Sequence, residues 1–406
     1  MPRCPFLYAV SAQLSYSSAM NNEHVQTTHI SKYQAALTLV ETVQKHYSRH
    51  VVSTRRHGEQ GLAIQPHAQA IEAIIDTAFW TSLRREEGLS PKISIAFLPP
   101  EQSGQPLLFG QRLMLTTDTL TKLAPGVERT GIYLGVWYEK DELYVWGTTR
   151  QLPNFCFVVD VTDPGLLVVK HRRTGGLLHF KNMAVLTGEL VKVIDEGRAH
   201  LPECPTLLTS LLGLGSSSDW NDSINPLVHL ALSMRAHRHG GALLIVPAHS
   251  DTWRDSIVHP IMHLIEPPFY GLSELMKQDK KERGNSKWQL ALNDAIDSIA
   301  CFTAVDGATI ISDEFELIAF GAKIKRTVRG NPVEKMLVTE PVLGSEGKLV
   351  HPASNGGTRH LSAAQFVFDQ KDTIALVASQ DGRFTAFAWS PCEGMVHAHQ
   401  IDTLLL

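Results

Sequence analysis

The 406-residue chain has no surplus of positive charge: 37 Lys and Arg stand against 41 Asp and Glu, a formal net charge of -4. Coating nucleic acid without sequence preference requires surplus cations, so that class is excluded, although a local phosphate site is not. The five cysteines (Cys4, Cys156, Cys204, Cys301, Cys392) are scattered and never form a CxxC pair. That excludes a zinc ribbon and a disulfide framework, and predicts reduced thiols buried as small hydrophobes. No apolar run approaches the ~18–20 residues needed to cross a bilayer. The start, "MPRCPFLYAVSAQLSYSSAM", has one arginine and a short apolar patch, which is no secretory signal. It predicts a disordered tail over residues 1–30, with Met20 as an alternative to Met1 as the start. These absences predict a cytoplasmic protein with no membrane partner.

Several chemical signatures are also missing. There is no Walker A motif, no GxSxG and no GxGxxG after a strand. "HPIMH" lacks the glutamate of a zincin and contains Pro260, so His259 and His263 are not expected to bind metal. His237, His239, His397 and His399 are expected at the surface. Asp294 and Asp297, three apart on a predicted helix, read as a wet face.

What is present divides the chain in two. Residues 31–56 and 66–86 read as helices, the second through the helical spacing of Ile71, Ile74, Ile75, Ala78, Phe79 and Leu83. Residues 93–194 switch to short β-rich runs, with "EKDE" as a hairpin connection. This predicts an antiparallel sheet preceded by helices, an α+β domain over 31–212. Tyr133 and Trp137 share one strand face, and Tyr144 and Trp146 another; they read as sheet cover, with a ligand platform as the alternative. "TGG" at 174–176 reads as a turn. The Gly/Ser-rich segment beginning at 211 predicts a linker over 213–224 and a second domain over 225–406. In that domain a helix precedes the buried strand "GALLIVPA". Further helices, strands and hairpins, around "SDEFE" and "QDGR", predict an α/β sandwich with a mixed central sheet. The basic "KQDKKERGNSK" reads as a solvated loop.

Two stretches carry the chemistry. Asp306, in "VDGATII", stands where a strand begins after a helix; its carboxylate could hold a divalent cation or accept a proton, and Gly307 would let a ligand approach the backbone. "NGGTRHLSAAQF", residues 355–366, places Gly357, Thr358, Arg359 and His360 at a predicted helix start. Unpaired N–H groups and a partial positive charge make such a start an anion site, and Arg359 adds a planar fork for phosphate oxygens. An Asp-Gly turn and a turn before a surface helix would carry the same letters.

The order of motifs is informative: "GGALLIV", then "DGATII", then "GGTRHLSAA", then "ALVASQDG". In that order and spacing, residues 225–390 resemble the diadenylate cyclase domain, the nucleotidyltransferase unit of DNA integrity scanning proteins and membrane cyclases. The resemblance implies condensation of two ATP to cyclic di-AMP and two pyrophosphates, with Mg²⁺ or Mn²⁺. It implies that Asp306 serves the metal and the attacking 3′-hydroxyl, with Gly307 and Ala308 completing that motif. It implies ATP binding by Gly357, Thr358, Arg359, His360 and Ser379. One site holds one ATP, so it also implies two domains face to face, at least a transient dimer. Three positions depart from the family: Val305 for a histidine, Leu361 for an arginine, and Gln380-Asp381 for two glutamates. These departures keep open a degenerate nucleotide-binding sensor module of the same fold. By position, residues 31–212 resemble the predicted sensor domains that precede some cyclases, which implies a sensor ligand of unknown identity; a structural or protein-binding role is the alternative.

Overall fold

The computed structural model describes residues 32–56, 61–173, 180–195, 225–279, 282–283 and 285–406. The expected tail, the turn at 174–176, the linker at 213–224, Cys4 and Cys204 lie outside them. The protein is α/β, with an eight-stranded and a nine-stranded mixed sheet.

In the first half, α1 (Gln34–Arg56) and α2 (Ala68–Ser82) precede strands β1 (Ile93–Phe97), β2 (Leu107–Met114), β3 (Tyr133–Glu139) and β4 (Glu142–Thr149). Then follow β5 (Phe157–Asp163), β6 (Leu166–Arg172), β7 (Phe180–Thr187) and β8 (Leu190–Val193). The strand order is β2-β4-β3-β1-β5-β6-β7-β8. The apolar face of α2 lies on β5 and β6 through Ile71, Ile74, Ile75 and Ala78, all fully buried. Lys140 and Asp141 join β3 to β4 with φ of 50° and 70°, the pair of positive values that suits a two-residue hairpin.

One expectation is corrected here. The sheet is mixed rather than antiparallel, because β1 and β3 run parallel. A parallel pair needs a crossover, and part of it is the helix α3 (Thr117–Val127). Thr116 caps α3, accepting from the Thr119 N–H at 3.2 Å. Pro125 and Gly126 lie inside the helix and obscure its periodic signal.

The second half opens with α4 (Pro226–Ala236) and β9 (Gly241–Val246), followed by β10 (His263–Phe269), α5 (Gly271–Lys277) and α6 (Ser286–Ala300). The hairpin β11 (Ala308–Ser312) and β12 (Leu317–Ala322) comes next, then β13 (Met336–Thr339), β14 (Lys348–Val350) and α7 (Thr358–Asp369). Strands β15 (Ile374–Ala378), β16 (Phe384–Ser390) and β17 (Met395–Gln400) follow. The order is β10-β12-β11-β9-β15-β16-β17-β13-β14, with β9/β11 and β13/β17 parallel. Every residue of β9 is buried, which explains its unbroken apolar run. Leu243 and Ile245 face the core with α4, α5 and α6, whereas Ala242, Leu244 and Val246 face the core with α7. The sheet is therefore sandwiched between helices.

Two expectations about burial fail. His397 and His399 are buried on β17, because the chain end forms a central strand rather than a tail. Glu393 lies 2.9 Å from His397 Nε2, and Thr339 Oγ1 lies 2.6 Å from His399 Nδ1. Of the described cysteines only Cys156 is buried; Cys301 and Cys392 are exposed, since each stands where a helix or strand has just ended. Asp294 and Asp297 are exposed, as a wet helix face requires. Among the described residues no helix is long and apolar enough to cross a membrane.

Candidate functional site

The parallel pair β9/β11 and the antiparallel pair β9/β15 bring three chain segments to one edge of the second sheet. Ala308 pairs with Ala242, and Ala378 with Gly241. The residues just before β9 and β11 and just after β15 are therefore neighbours. They are Gly240, Asp306-Gly307 and Ser379-Gln380.

The start of α7 reaches this edge through Arg359. A side chain on Gly240 would place its Cβ 2.9 Å from Arg359 Nη1 and 3.2 Å from the Ala378 carbonyl. The glycine leaves room for the guanidinium. Gly307 has φ of 113°, and a Cβ there would lie 2.5 Å from the backbone of Gly321. Only glycine fits that turn into β11.

Asp306 is 88% exposed, and Lys323 Nζ donates to its Oδ2 at 2.5 Å. That hydrogen bond and the ammonium's charge hold the Asp306 carboxyl below the usual carboxylate range, with smaller contributions from the Arg359 guanidinium and the Gly307 N–H. Lys323 follows β12, whose pairing of Ala322 with Ala308 carries it to Asp306. Sequence reading missed Lys323 because it depends on hairpin register. It also missed Gly240, whose signal was the doubled glycine ahead of β9.

The remaining predicted residues occupy distinct places. Gly357 is the N-cap of α7 and makes no side-chain cap, so the helix begins with Thr358 exposed and its first N–H groups uncapped by a side chain. His360 turns inward at 3% exposure; its Nε2 lies 3.3 Å from Thr385 Oγ1 and its ring meets Phe387 edge-on. Burial and the Arg383 guanidinium lower its pKa, so it is neutral and anchors the helix start. Ala308 is a buried strand residue. Ser379 lies in the β15–β16 turn, its N–H donating to the Arg383 carbonyl at 2.8 Å.

The departures also have places. Leu361, 36% exposed, lines a cleft of ≈440 Å³ beside α7 together with Lys325, Arg326 and His351. Val305 is exposed. Gln380 donates to the His239 carbonyl at 3.4 Å, and Asp381 pairs with Arg383 at 2.7 Å. His237 Nε2 meets Thr303 Oγ1 at 3.0 Å behind the edge.

A metal would find few ligands. Among the described residues no three His, Cys, Asp or Glu side chains group to hold one, and Lys323 already occupies Asp306. This donor set does not make a resident ion site. Any cation held there would need most of its ligands from outside the protein.

Residues 60–150 match the family described as "Probable sensor domain DACNV". A sensor domain is therefore present, consistent with a regulated protein. No curated protein matches the chain. The DACNV match covers α2, α3 and β1 to β4.

The same half of the chain, beyond the DACNV match, is joined to the second sheet. The Leu343 N–H donates to the Val193 carbonyl at 2.9 Å, and the Asp195 N–H to Pro341 at 3.0 Å. Lys192 Nζ reaches Glu340 Oε1 at 2.6 Å. Asn182 Nδ2 donates to the carbonyls of Thr403 at 3.0 Å and Leu406 at 3.1 Å. Residues 340–343 connect β13 to β14, and β14 leads through Pro352–Ser354 to the start of α7. The sensor-bearing half thus touches the segment that feeds the Arg359 edge.

Proposed function

We propose that the chain is a diadenylate cyclase, condensing two ATP to cyclic di-AMP and two pyrophosphates under control of its N-terminal sensor domain. One observation carries this reading: Asp306, Arg359 and Ser379, from three separate motifs, come to one sheet edge, with Gly240 leaving room for the Arg359 guanidinium and Gly307 permitting the turn into β11.

The chemistry asks for little beyond that set. In each displacement the 3′-oxygen of one ATP attacks the α-phosphorus of the other, the bond to pyrophosphate breaks, and the 3′-hydroxyl proton passes by way of the exposed Asp306 carboxylate to solvent. Two such displacements close the ring. Phosphoryl-type transfer is mostly positioning and charge stabilisation. Arg359 and the uncapped start of α7 hold phosphate oxygens. Asp306, kept ionised, orients the 3′-hydroxyl and accepts charge-assisted contacts. A Mg²⁺ or Mn²⁺ on the triphosphate would supply Lewis-acid polarisation of the phosphoryl oxygens when bound. Each edge serves one ATP, so the reaction needs two copies face to face, and the exposure of Asp306 and Thr358 supports such an approach. The contacts at residues 340–343 supply a path from the sensor-bearing half to α7.

The Lys323–Asp306 and Arg383–Asp381 pairs favour a second reading. With both carboxylates occupied, the edge would bind ATP as a sensing module without turning it over. Incubating the protein with ATP and Mn²⁺ or Mg²⁺ and following cyclic di-AMP by mass spectrometry separates the two. Product supports the cyclase. A nucleotide-induced thermal shift without product supports the sensing module. Neither response removes both.

A further inference from the structure

Strand β1 ends at Phe97 because Leu98 is followed by Pro99 and Pro100, which cannot donate to a ladder. Its neighbour β3 runs on. Phe97 pairs with Val136, and the next three residues, Trp137 to Glu139, pair with β4 alone. A cleft of ≈240 Å³ opens there, lined by Trp137, Tyr138, Tyr144, Trp146, Glu101 and Arg112, with Pro100 at its margin. All of these residues lie within the DACNV match.

The rings are held in place. Trp137 packs on Phe97 at 4.7 Å, and Tyr138 meets Phe97 edge-on at 5.7 Å. Trp146 is buried, with its Nε1 donating to the Leu98 carbonyl at 2.8 Å. The Tyr144 hydroxyl donates to Glu142 at 2.9 Å. The charges are unequal. Arg112 is paired with Glu139 at 3.2 Å, whereas Glu101 has no ion-pair partner among the described residues. The uncompensated charge in an aromatic-walled cleft is therefore negative.

We infer that this cleft is the ligand site of the sensor domain and that it takes a small organic ammonium cation. Aromatic faces attract cations, and aromatic cages are a recurrent way to bind quaternary ammonium groups. Glu101 supplies the counter-charge. The volume lies below the ~300–1,000 Å³ typical of drug-sized ligand sites, which suits a small ligand group. The inference stands on the first domain and does not depend on nucleotidyl transfer.

The test is a titration of the full chain with tetramethylammonium and choline, read by tryptophan fluorescence and calorimetry at matched ionic strength. The neutral choline isostere 3,3-dimethyl-1-butanol and the anion acetate serve as controls. Saturable binding of both cations is expected, with no response to either control. Glu101→Gln should weaken binding about tenfold, and Trp137→Ala should remove it. Glu101 is exposed, so its variant keeps the test valid should Trp137→Ala fail to fold. No saturable response at millimolar cation would overturn the inference. So would equal binding of the neutral isostere, or undiminished binding by Glu101→Gln. No turnover is measured, so failure here leaves the cyclase reading untouched.

Discussion

The ammonium of Lys323 lies 2.5 Å from a carboxylate oxygen of Asp306, at the mouth of the edge where the motifs meet. Both groups are exposed, so solvent screens the pair and it adds little to stability. On the proposed reading the pair matters chemically, with Lys323 competing with a cation for Asp306. Lys323→Ala should leave the melting temperature nearly unchanged. It should lower the Mg²⁺ or Mn²⁺ concentration giving half-maximal ATP binding, measured by calorimetry at fixed nucleotide. An unchanged metal requirement would separate Asp306 from the ion.

Arg359 should matter through the ligand. Charge-assisted contacts to a triphosphate are worth about 1.5–3 kcal/mol each. Arg359→Ala should therefore weaken ATP binding by about one to two orders of magnitude, with little change in the ligand-free melting temperature. Equal affinity in variant and wild type would count against every nucleotide reading of this edge.

Leu361 provides the reverse test. It is partly exposed and lines the basic cleft beside α7, so an arginine there buries no charge. Leu361→Arg should fold normally and raise ATP affinity, as followed by thermal shift with and without nucleotide. A destabilised protein with unchanged affinity would show that this side of α7 does not face the ligand.

Acidification should act through the buried histidines. Burial, reinforced by His397, pushes the His399 pKa down to about 3, against about 6.5 in an unfolded chain. Between those values the unfolded state binds the extra proton, so stability rises with pH across this window and falls on acidification through it. His360 and His237, lowered in the same direction chiefly by burial, add to the slope. Melting temperatures from pH 7 to pH 4 should fall, and His399→Gln should flatten the dependence. A parallel curve for the variant would acquit His399.

Among the described residues, Asn182 makes two of the polar contacts that join the two sheets, to Thr403 and Leu406. Asn182→Ala removes the donor to the buried Thr403 carbonyl, a cost of about 1–3 kcal/mol. A lowered melting temperature is expected, together with faster amide exchange in residues 401–406. Unchanged exchange there would show that the side chain does not fasten the segment.

Much of this architecture was legible in the sequence where one local rule governed. The spacing of Ile71, Ile74 and Ile75 specified α2, and the unbroken run Gly241–Val246 specified a strand covered on both faces. Helix α3 was hidden because Pro125 and Gly126 interrupt its period, and with it the parallel pairing of β1 and β3. At the site, Gly307, Gly357 and Asp306 were visible as motif letters, whereas Gly240 was not singled out. Lys323 was not, because nothing local links it to Asp306 until β11 and β12 are in register. The inward turn of His360 was equally hidden; its letter stands beside Arg359, but helix phase sends the two side chains in different directions. Trp137, Tyr138, Tyr144 and Trp146 were visible as aromatics, yet the cleft between them exists only because β1 stops short.

The central claim rests on Asp306, and one comparison tests it most directly. Wild type and Asp306→Asn are incubated with ATP and Mn²⁺ or Mg²⁺, and cyclic di-AMP is quantified by mass spectrometry. The side chain is exposed, so the variant should fold and melt like wild type. The account predicts cyclic di-AMP and pyrophosphate from wild type and none from Asp306→Asn. Equal product from both would remove the carboxylate from the mechanism; no product from wild type would contradict the cyclase assignment itself.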